Sequence, residues 1–491
     1  MSAYILAIDQ GTGGTKSVLF DERGGIRAKG FAGLASSYPR PGFVEQDPGD
    51  IYANVIASVR DCLEKAPDAA GRIAAAGISN QRETFLLFGR DGAPLTRAIV
   101  WQCKRSTGVC ARLKEAGLEA EVRARTGLLI DPYFSGTKLA WLMENDPAVR
   151  DAVRSGQALF GTVDTWLLYR LTRGASFLTD HANASRTLFF NIHSLDWDET
   201  LLEALGAKGL VLPRPCPSSF DFGTSDFEGL LPRPIPISGM IGDSHAAAFG
   251  EGCFAPGQAK ATLGTGSSIL CNIGGAPKAS DRGMVTTICF SLPGRVDYAF
   301  EGVIVTCGAT IKWLRDQLGL IASSAETEAM AKAVPDNGGV YLIPAFSGLG
   351  APHWKMDATA SIVGLTLGST KNHVVRAALE SVAFQIKDVV AAMELDGGAG
   401  LTELKLDGGM TANRFLMRRI ADLLGVRTAT IGLEEASALG AAYMAGLNAG
   451  VFDSVEALSR LHGAEDIYEP RENPEILRDY ETWGRMIAKH A

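Results

Sequence analysis

Asp243, Ser244 and His245 are consecutive and carry the side-chain types of a hydrolytic triad, within the stretch ISGMIGDSHAAAFGEG at 237–252. Sequence neighbours point in different directions on a helix or a strand, so one run cannot close a triad from its own three members. The stretch also lacks the second glycine of a GxSxG nucleophile elbow. Asp243 differs from its two neighbours. It follows an apolar strand pattern and a glycine, and it precedes a small-residue segment. A carboxylate placed there can take the proton of an acceptor hydroxyl in an in-line phosphoryl transfer.

Phosphoryl transfer needs groups that hold phosphate. Glycine lets backbone N–H groups approach phosphate oxygens, and threonine adds a hydroxyl. DQGTGGTK (9–16) supplies Gly11, Thr12, Gly13, Gly14, Thr15 and the cation Lys16. It is not GxxxxGK[ST], which excludes a P-loop. Asp9 precedes the turn, where a carboxylate can either hold Mg²⁺ beside phosphates or simply cap the turn. LGTGSS (263–268) again joins two apolar runs. Its spacing leaves open a pair of phosphate loops or two unrelated glycine hairpins. DGGMTAN (407–413) follows a strand pattern and opens a helix, so it could face a base and ribose or be an ordinary strand–helix turn. In NQRET (80–84), Arg82 and Glu83 could bind neighbouring hydroxyls of a polyol, Arg donating and Glu accepting, or form a solvated surface pair. Trp101 is either an apolar wall for a carbon skeleton or a core residue.

These residues need strand ends and tight turns to position them. Residues 4–25, 72–94 and 257–274 each read as strand, turn, strand. RAIVWQ (97–102) reads as a strand leading to a helix near 105–116, and 161–174 as a helix with Thr162 at its N-cap and Gly174 as its stop. The proline-rich 213–236 reads as irregular, and the pattern restarts near 250. Residues 361–395 and 401–425 each read as a strand followed by a helix, and the small-residue segment 437–450 as a helix packed closely on a sheet. Alternation of strands and helices throughout predicts an α/β chain.

Bulk properties narrow the function classes. The chain has 491 residues, 46% of them hydrophobic and 21% charged, enough for two domains with substantial cores. A net charge of −8 without a basic run argues against nucleic acid and anionic membranes as partners. No apolar run is long enough for a membrane span, and MSAYILAIDQ lacks the features of a signal peptide. The 8 cysteines form no CxxC pair, which predicts reduced thiols in the cytoplasm and gives no metal cluster.

Further motifs are YPRPGFVEQDP (38–48), IVWQCKR (99–105), DPYFSGTK (131–138), FGTVDTWL (160–167), NASRT (183–187), FNIHSLDWD (190–198) and PAFSGLGAPHW (344–354). With DQGT, NQRET, GTG (264–266) and LDGGMTAN (406–413), their order over nearly the whole chain resembles the FGGY carbohydrate kinases, in the branch that acts on glycerol. The resemblance implies two ribonuclease-H-like domains of the actin/hexokinase/Hsp70 ATPase superfamily around a central cleft. Residues 1–250 would form the N-terminal domain and 251–491 the C-terminal domain. It implies ATP-dependent phosphorylation of glycerol to sn-glycerol 3-phosphate, with Asp243 as general base. Arg82, Glu83, Trp101, Tyr133, Asp243 and Ser244 would bind the polyol. Thr12, Gly13, Gly14, Lys16 and Thr265 would contact phosphates, and Gly308, Lys312, Gly409 and Asn413 the nucleotide. Asp9 and Asp243 would be the Mg²⁺-associated carboxylates, and the assembly a homodimer or homotetramer.

Four positions and one loop depart from the family's pattern. Ser244 and His245 stand where it has glutamines, Ser268 where it has phenylalanine, and Lys16 where it has arginine. EGLLPRP (228–234) replaces a glycine-rich regulatory loop. Ser244 and Ser268 predict a wider, more polar pocket, which keeps erythritol, threitol or xylitol as alternative substrates. A non-kinase ATPase sensor or chaperone of the same superfamily is the alternative from another class.

Overall fold

A computed structural model describes residues 3–490, apart from 356, 398–399, 433–434 and 462–465. Its organising feature is one sheet plan used twice. In the first half, β1 (Tyr4–Gly11), β2 (Gly14–Asp21) and β3 (Ile26–Gly33) form an antiparallel meander. Next, β4 (Ile73–Asn80) pairs parallel to β1, and β5 (Ile235–Gly242) pairs parallel to β4. The order β5-β4-β1-β2-β3 is closed at one edge by the short strand Thr224–Ser225.

Alternation along β1 explains how this sheet is covered. Tyr4, Leu6 and Ile8 join the core formed with Ile51, Val55 and Val59 of α1 (Pro48–Glu64). Ile5 and Ala7 point to a different core on the opposite face. Both faces are buried, as expected of strands with parallel neighbours.

The second half repeats the plan. β6 (Gln258–Leu263), β7 (Ser267–Gly274) and β8 (Arg295–Ile304) are antiparallel, and β9 (Glu403–Asp407) and β10 (Arg427–Thr430) join on the other side of β6 in parallel. The order β8-β7-β6-β9-β10 matches the first sheet, with Val285–Leu292 and Asp466–Tyr468 added at the edges. The strand–turn–strand recurrence in the sequence is thus the start of each copy.

Two helices lock the halves together. α2 (Asp243–Gly250) follows β5, and the small-residue helix α3 (Ala436–Asn448) lies on the first sheet against β1, β4 and β5. The two cross where a Cβ on Gly440 would fall 1.9 Å from the Ala246 carbonyl oxygen, and one on Gly250 2.2 Å from that of Ala436. Only glycine permits backbones this close.

Some expectations change in detail. The strand expected over 97–102 is only Ala98–Ile99, because the Trp101 amide turns away to donate to the Thr84 hydroxyl at 3.2 Å. It belongs to a separate four-stranded sheet with Glu45–Gln46, Phe85–Phe88 and Leu159–Thr162. Thr162 stands at the N-cap of the helix Val163–Leu171 without a capping bond from its side chain.

Candidate active site

Strands β1, β4 and β5 run parallel, and register pairs Asp9 with Ser79 and Asn80 with Gly242. Asp9, the NQRET turn and Asp243 therefore emerge at one edge, the carboxyl ends where α/β sheets bind ligands. Asp243 opens α2, and its Oδ1 accepts from the Ser244 amide at 2.6 Å and faces Arg82 Nε at 3.2 Å. Its side chain is 38% exposed, so a substrate hydroxyl can reach it. Asp9 accepts a hydrogen bond from the Ser79 hydroxyl at 2.9 Å. Burial, and next the charge of Asp243, push its carboxyl up from 3.8 to about 6, against the Ser79 bond and Lys16. Negative charge converges here. His245 is buried, and its Nε2 lies 3.2 Å from the Thr287 hydroxyl. Burial and the Arg82 and Arg186 charges hold its ring well below the usual histidine range, so it is neutral. The triad reading ends there.

Arg82 and Glu83 are buried, which removes the solvated-pair reading. Arg82 Nη2 donates to Glu301 Oε1 at 2.8 Å, and Glu83 Oε1 accepts from Arg186 Nε at 2.6 Å. Arg186 Nη2 lies 2.7 Å from Glu301 Oε2. Glu83 has φ 61°, an uncommon conformation for a residue with a side chain. It is held there because Ser135 Oγ donates to its carbonyl at 2.8 Å and the Thr84 amide to the Arg82 carbonyl at 2.7 Å. Arg186 and Glu301 are absent from the sequence-predicted set. The available signals were the one base in NASRT and the one charge in the apolar strand YAFEGVI.

The rings of Trp101 and Tyr133 meet edge to face, 5.5 Å between centroids. Burial, with Glu83 nearby, raises the Tyr133 hydroxyl far above its ordinary value, so it stays a neutral donor. Behind it, Lys138 donates to the carbonyls of Pro132 at 3.0 Å and Tyr133 at 2.7 Å. Burial lowers the Lys138 amine to about 7. Ser268, expected to leave the pocket wider and more polar, donates to Glu301 Oε1 at 3.1 Å.

The first glycine loop is the two-residue turn Thr12–Gly13 between β1 and β2. The Thr12 hydroxyl accepts from Trp101 Nε1 at 2.9 Å and donates to Gln81 Oε1 at 3.3 Å. Gln46 Nε2 donates to the Thr12 carbonyl at 2.7 Å. Lys16 Nζ sits 2.8 Å from Glu435 Oε2, at the start of α3, and Glu435 Oε1 also faces Lys29 at 3.7 Å. Glu435 is another residue the sequence reading missed.

The second loop, Gly264–Gly266, opens into a cavity of about 500 Å³. Thr265, Gly308, Lys312, Gly409 and Asn413 all line it, with Arg315 and Thr327 among their neighbours. The volume falls within the usual range for cofactor-sized ligands. Among the described residues no cluster of three or more His, Cys, Asp or Glu forms a metal cage. Mg²⁺ needs less than a cage: one or two carboxylates plus substrate phosphates. Asp9 and Asp243, hard oxygen donors that repel one another, fit that requirement.

Two sheets of ribonuclease-H-like plan, with carboxylates on one and a nucleotide-sized cavity on the other, define a two-domain kinase of the actin/hexokinase-like type. The FGGY family of carbohydrate kinases matches in both parts, its N-terminal domain over residues 4–250 and its C-terminal domain over 259–449. The chain belongs to that family. A glycerol kinase of Acidovorax sp. is 48% identical over 99% of each chain, and one of Halorhodospira halophila is 47% identical over 99% of this chain and 96% of its own. The crystal structure of Plasmodium falciparum glycerol kinase with ADP superposes with a TM-score of 0.95 at 33% identity, covering 100% of this chain and 98% of that one. No helix among the described residues is long and apolar enough to cross a membrane.

Proposed function

We propose that this chain phosphorylates glycerol to sn-glycerol 3-phosphate with ATP. The carrying observation is the convergence of Asp243, Arg82 and Asp9 on one sheet edge, linked through Glu301 and Ser268 to the loop that opens the nucleotide cavity. Asp243 takes the proton of the terminal hydroxyl, and that oxygen attacks the γ-phosphorus in line. Arg82 and Glu83 hold the remaining hydroxyls, Trp101 and Tyr133 wall the carbon chain, and Ser244 borders the pocket. Thr12, Gly13, Gly14, Lys16 and Thr265 hold phosphates, and Gly308, Lys312, Gly409 and Asn413 hold the nucleoside end. Asp9 and Asp243 would hold Mg²⁺, which, when bound, neutralises charge on the transferring phosphoryl group.

The domain division proposed is 1–250 and 251–491. We place the reaction in the cytoplasm, in keeping with 8 free thiols, and expect a homodimer or homotetramer. The names of the full-length relatives favour glycerol over erythritol, threitol or xylitol, and a kinase over a sensor or chaperone. Asp243→Asn should lower kcat by about 10²–10⁴-fold, the usual contribution of a general base, with an unchanged thermal melt. Retained turnover would remove Asp243 from that role. A kcat/KM series over glycerol, erythritol and xylitol should peak at glycerol, and a peak at a longer polyol would displace it.

A further inference from the structure

Glu301 poses a physical problem that the proposed reaction does not use. It lies on β8 in the second half, 2% exposed, inside a strand of apolar residues. A lone carboxylate buried there would be strongly disfavoured unless paired on both oxygens. Both pairings come from the first half of the chain: Arg82 Nη2 on Oε1 at 2.8 Å and Arg186 Nη2 on Oε2 at 2.7 Å. Burial alone would raise its carboxyl; the Arg186 and Arg82 charges outweigh that and hold it far below the usual carboxylate range. It is ionised throughout the working pH range.

The arrangement is an alternating chain of charges: Asp243, Arg82, Glu301, Arg186, Glu83. Glu301 is its middle member and the only one of the five from the second half. On β7, Leu270 is paired in register with Glu301, and Ser268, which bonds Glu301, follows the second glycine loop by two residues. Arg82 spends Nη2 on Glu301 and turns Nε to Asp243, while its Nη1 is buried without a partner among the described residues. A guanidinium is a rigid planar fork, so fixing one edge fixes where the other nitrogens point.

We propose that Glu301 is a positioning residue: through it the second domain sets the Arg82 guanidinium against Asp243, so the polyol end of the site is complete only when the two domains are docked. Glu301 bonds Arg82, Arg186 and Ser268 and is placed against no substrate group. It acts through Arg82, and the inference rests on Arg82 and Asp243 being the polyol end of the site. Affinity for the polyol then depends on a residue delivered beside the phosphate loop.

The test is Glu301→Gln, which keeps shape and one acceptor oxygen but removes the charge. The KM for glycerol should rise about tenfold or more, the scale expected for neutralising a buried charged partner, while the KM for ATP stays within about twofold. Glu301→Asp, which keeps the charge, should recover part of the loss. Equal rises in both KM values, or no rise in either, would overturn the proposal and leave Glu301 as interdomain packing alone. If Glu301→Gln gives no cooperative melt, Ser268→Ala decides, since it deletes a single bond to Oε1. It should raise the glycerol KM by about two- to fivefold with the ATP KM unmoved, and the opposite pattern rejects the idea. A wild-type protein that phosphorylates no polyol would overturn the functional reading instead. Quenching of tryptophan fluorescence by glycerol and erythritol, compared between wild type and Glu301→Gln without nucleotide, would then decide the role of Glu301: equal titrations reject it, and a weakened titration in the variant supports it.

Discussion

The two glycine loops occupy equivalent places in two copies of one sheet plan, yet they are held by different means. The Thr12–Gly13 turn is fixed by side chains: Trp101, Gln81 and Gln46 all bond Thr12, and Lys16 is tied to Glu435. The Gly264–Gly266 loop is fixed by backbone: the Gly308 amide donates to the Gly264 carbonyl and the Cys307 amide to the Thr265 carbonyl, each at 2.9 Å. Gly264 and Thr265 are exposed to the cavity. One topology thus supports two kinds of recognition. In the reading proposed above both loops meet phosphate, the first through side chains that also tie it to Trp101 and so to the polyol wall. A backbone cradle suits a phosphate chain whose charge and shape are the same in every turnover.

The largest way to break this contrast is at Asp9. Asp9→Asn should reduce kcat/KM by about 10²–10³-fold, the scale for removing one element of a preorganised electrostatic site. The wild-type pH profile follows from the same group. With its carboxyl at about 6, Asp9 takes up a proton as pH falls through 6, so activity at limiting Mg²⁺ should fall there and be rescued by excess Mg²⁺. The stability sign is opposite. The folded protein binds this proton more tightly than the unfolded chain, with its ordinary 3.8, so the contribution is full below about 3.8 and lost as pH rises through about 6. Asp9→Asn should therefore melt above wild type at pH 7.5 without Mg²⁺. An acid limb at the same pH and Mg²⁺ dependence in both proteins would break the idea that carboxylates converge on one site.

A smaller effect is expected in the backbone cradle. A Cβ on Gly308 would stand 2.6 Å from the Gly264 carbonyl oxygen. Overpacking of this kind typically costs about 1–3 kcal/mol. Gly308→Ala should raise the KM for ATP by about tenfold and leave the glycerol KM unchanged. Thr265→Ala, by contrast, removes an exposed side chain from a loop that backbone bonds already hold, and should move the ATP KM by less than about threefold. If the threonine matters more than the glycine, the second loop also works through side chains and the contrast fails.

How much of this was legible depends on how local the cause is. The hairpins at 4–25 and 257–274 were readable because apolar alternation and a glycine turn sit within twenty-odd residues. Asp243 was readable because a strand, a glycine and a carboxylate are consecutive. The resemblance then supplied residues that line the cavity proposed for the nucleotide, which spacing alone left open. The charge chain and the Lys16–Glu435 pair were not readable, since their partners are far apart: Glu83 and Arg186 are separated by 103 positions, Arg82 and Glu301 by 219, Lys16 and Glu435 by 419. No periodicity links such positions. The small residues of α3 predicted close packing on a sheet, but only the tertiary fold selects the first sheet, beneath Ala246.

That longest pair offers the smallest and sharpest test of the first loop. Lys16 is 43% exposed and points to Glu435, whose side chain is 9% exposed. An ion pair with one member in solvent is worth roughly 0.2–1 kcal/mol. If Lys16 is to meet a phosphate, it must leave Glu435 or share itself between the two, so the pair competes with the nucleotide. Glu435→Gln removes the competing charge, and the KM for ATP should fall by about two- to fivefold, with the gain shrinking as salt screens the pair. The same change deletes one of the negative charges that raise Asp9, so the acid limb near pH 6 should move to lower pH. The two shifts have one cause and should appear together. A lower ATP KM without the pH shift would leave Lys16 as the phosphate ligand but separate Glu435 from Asp9. A pH shift without the KM change would mean that Lys16 holds the start of α3 in place and never reaches phosphate.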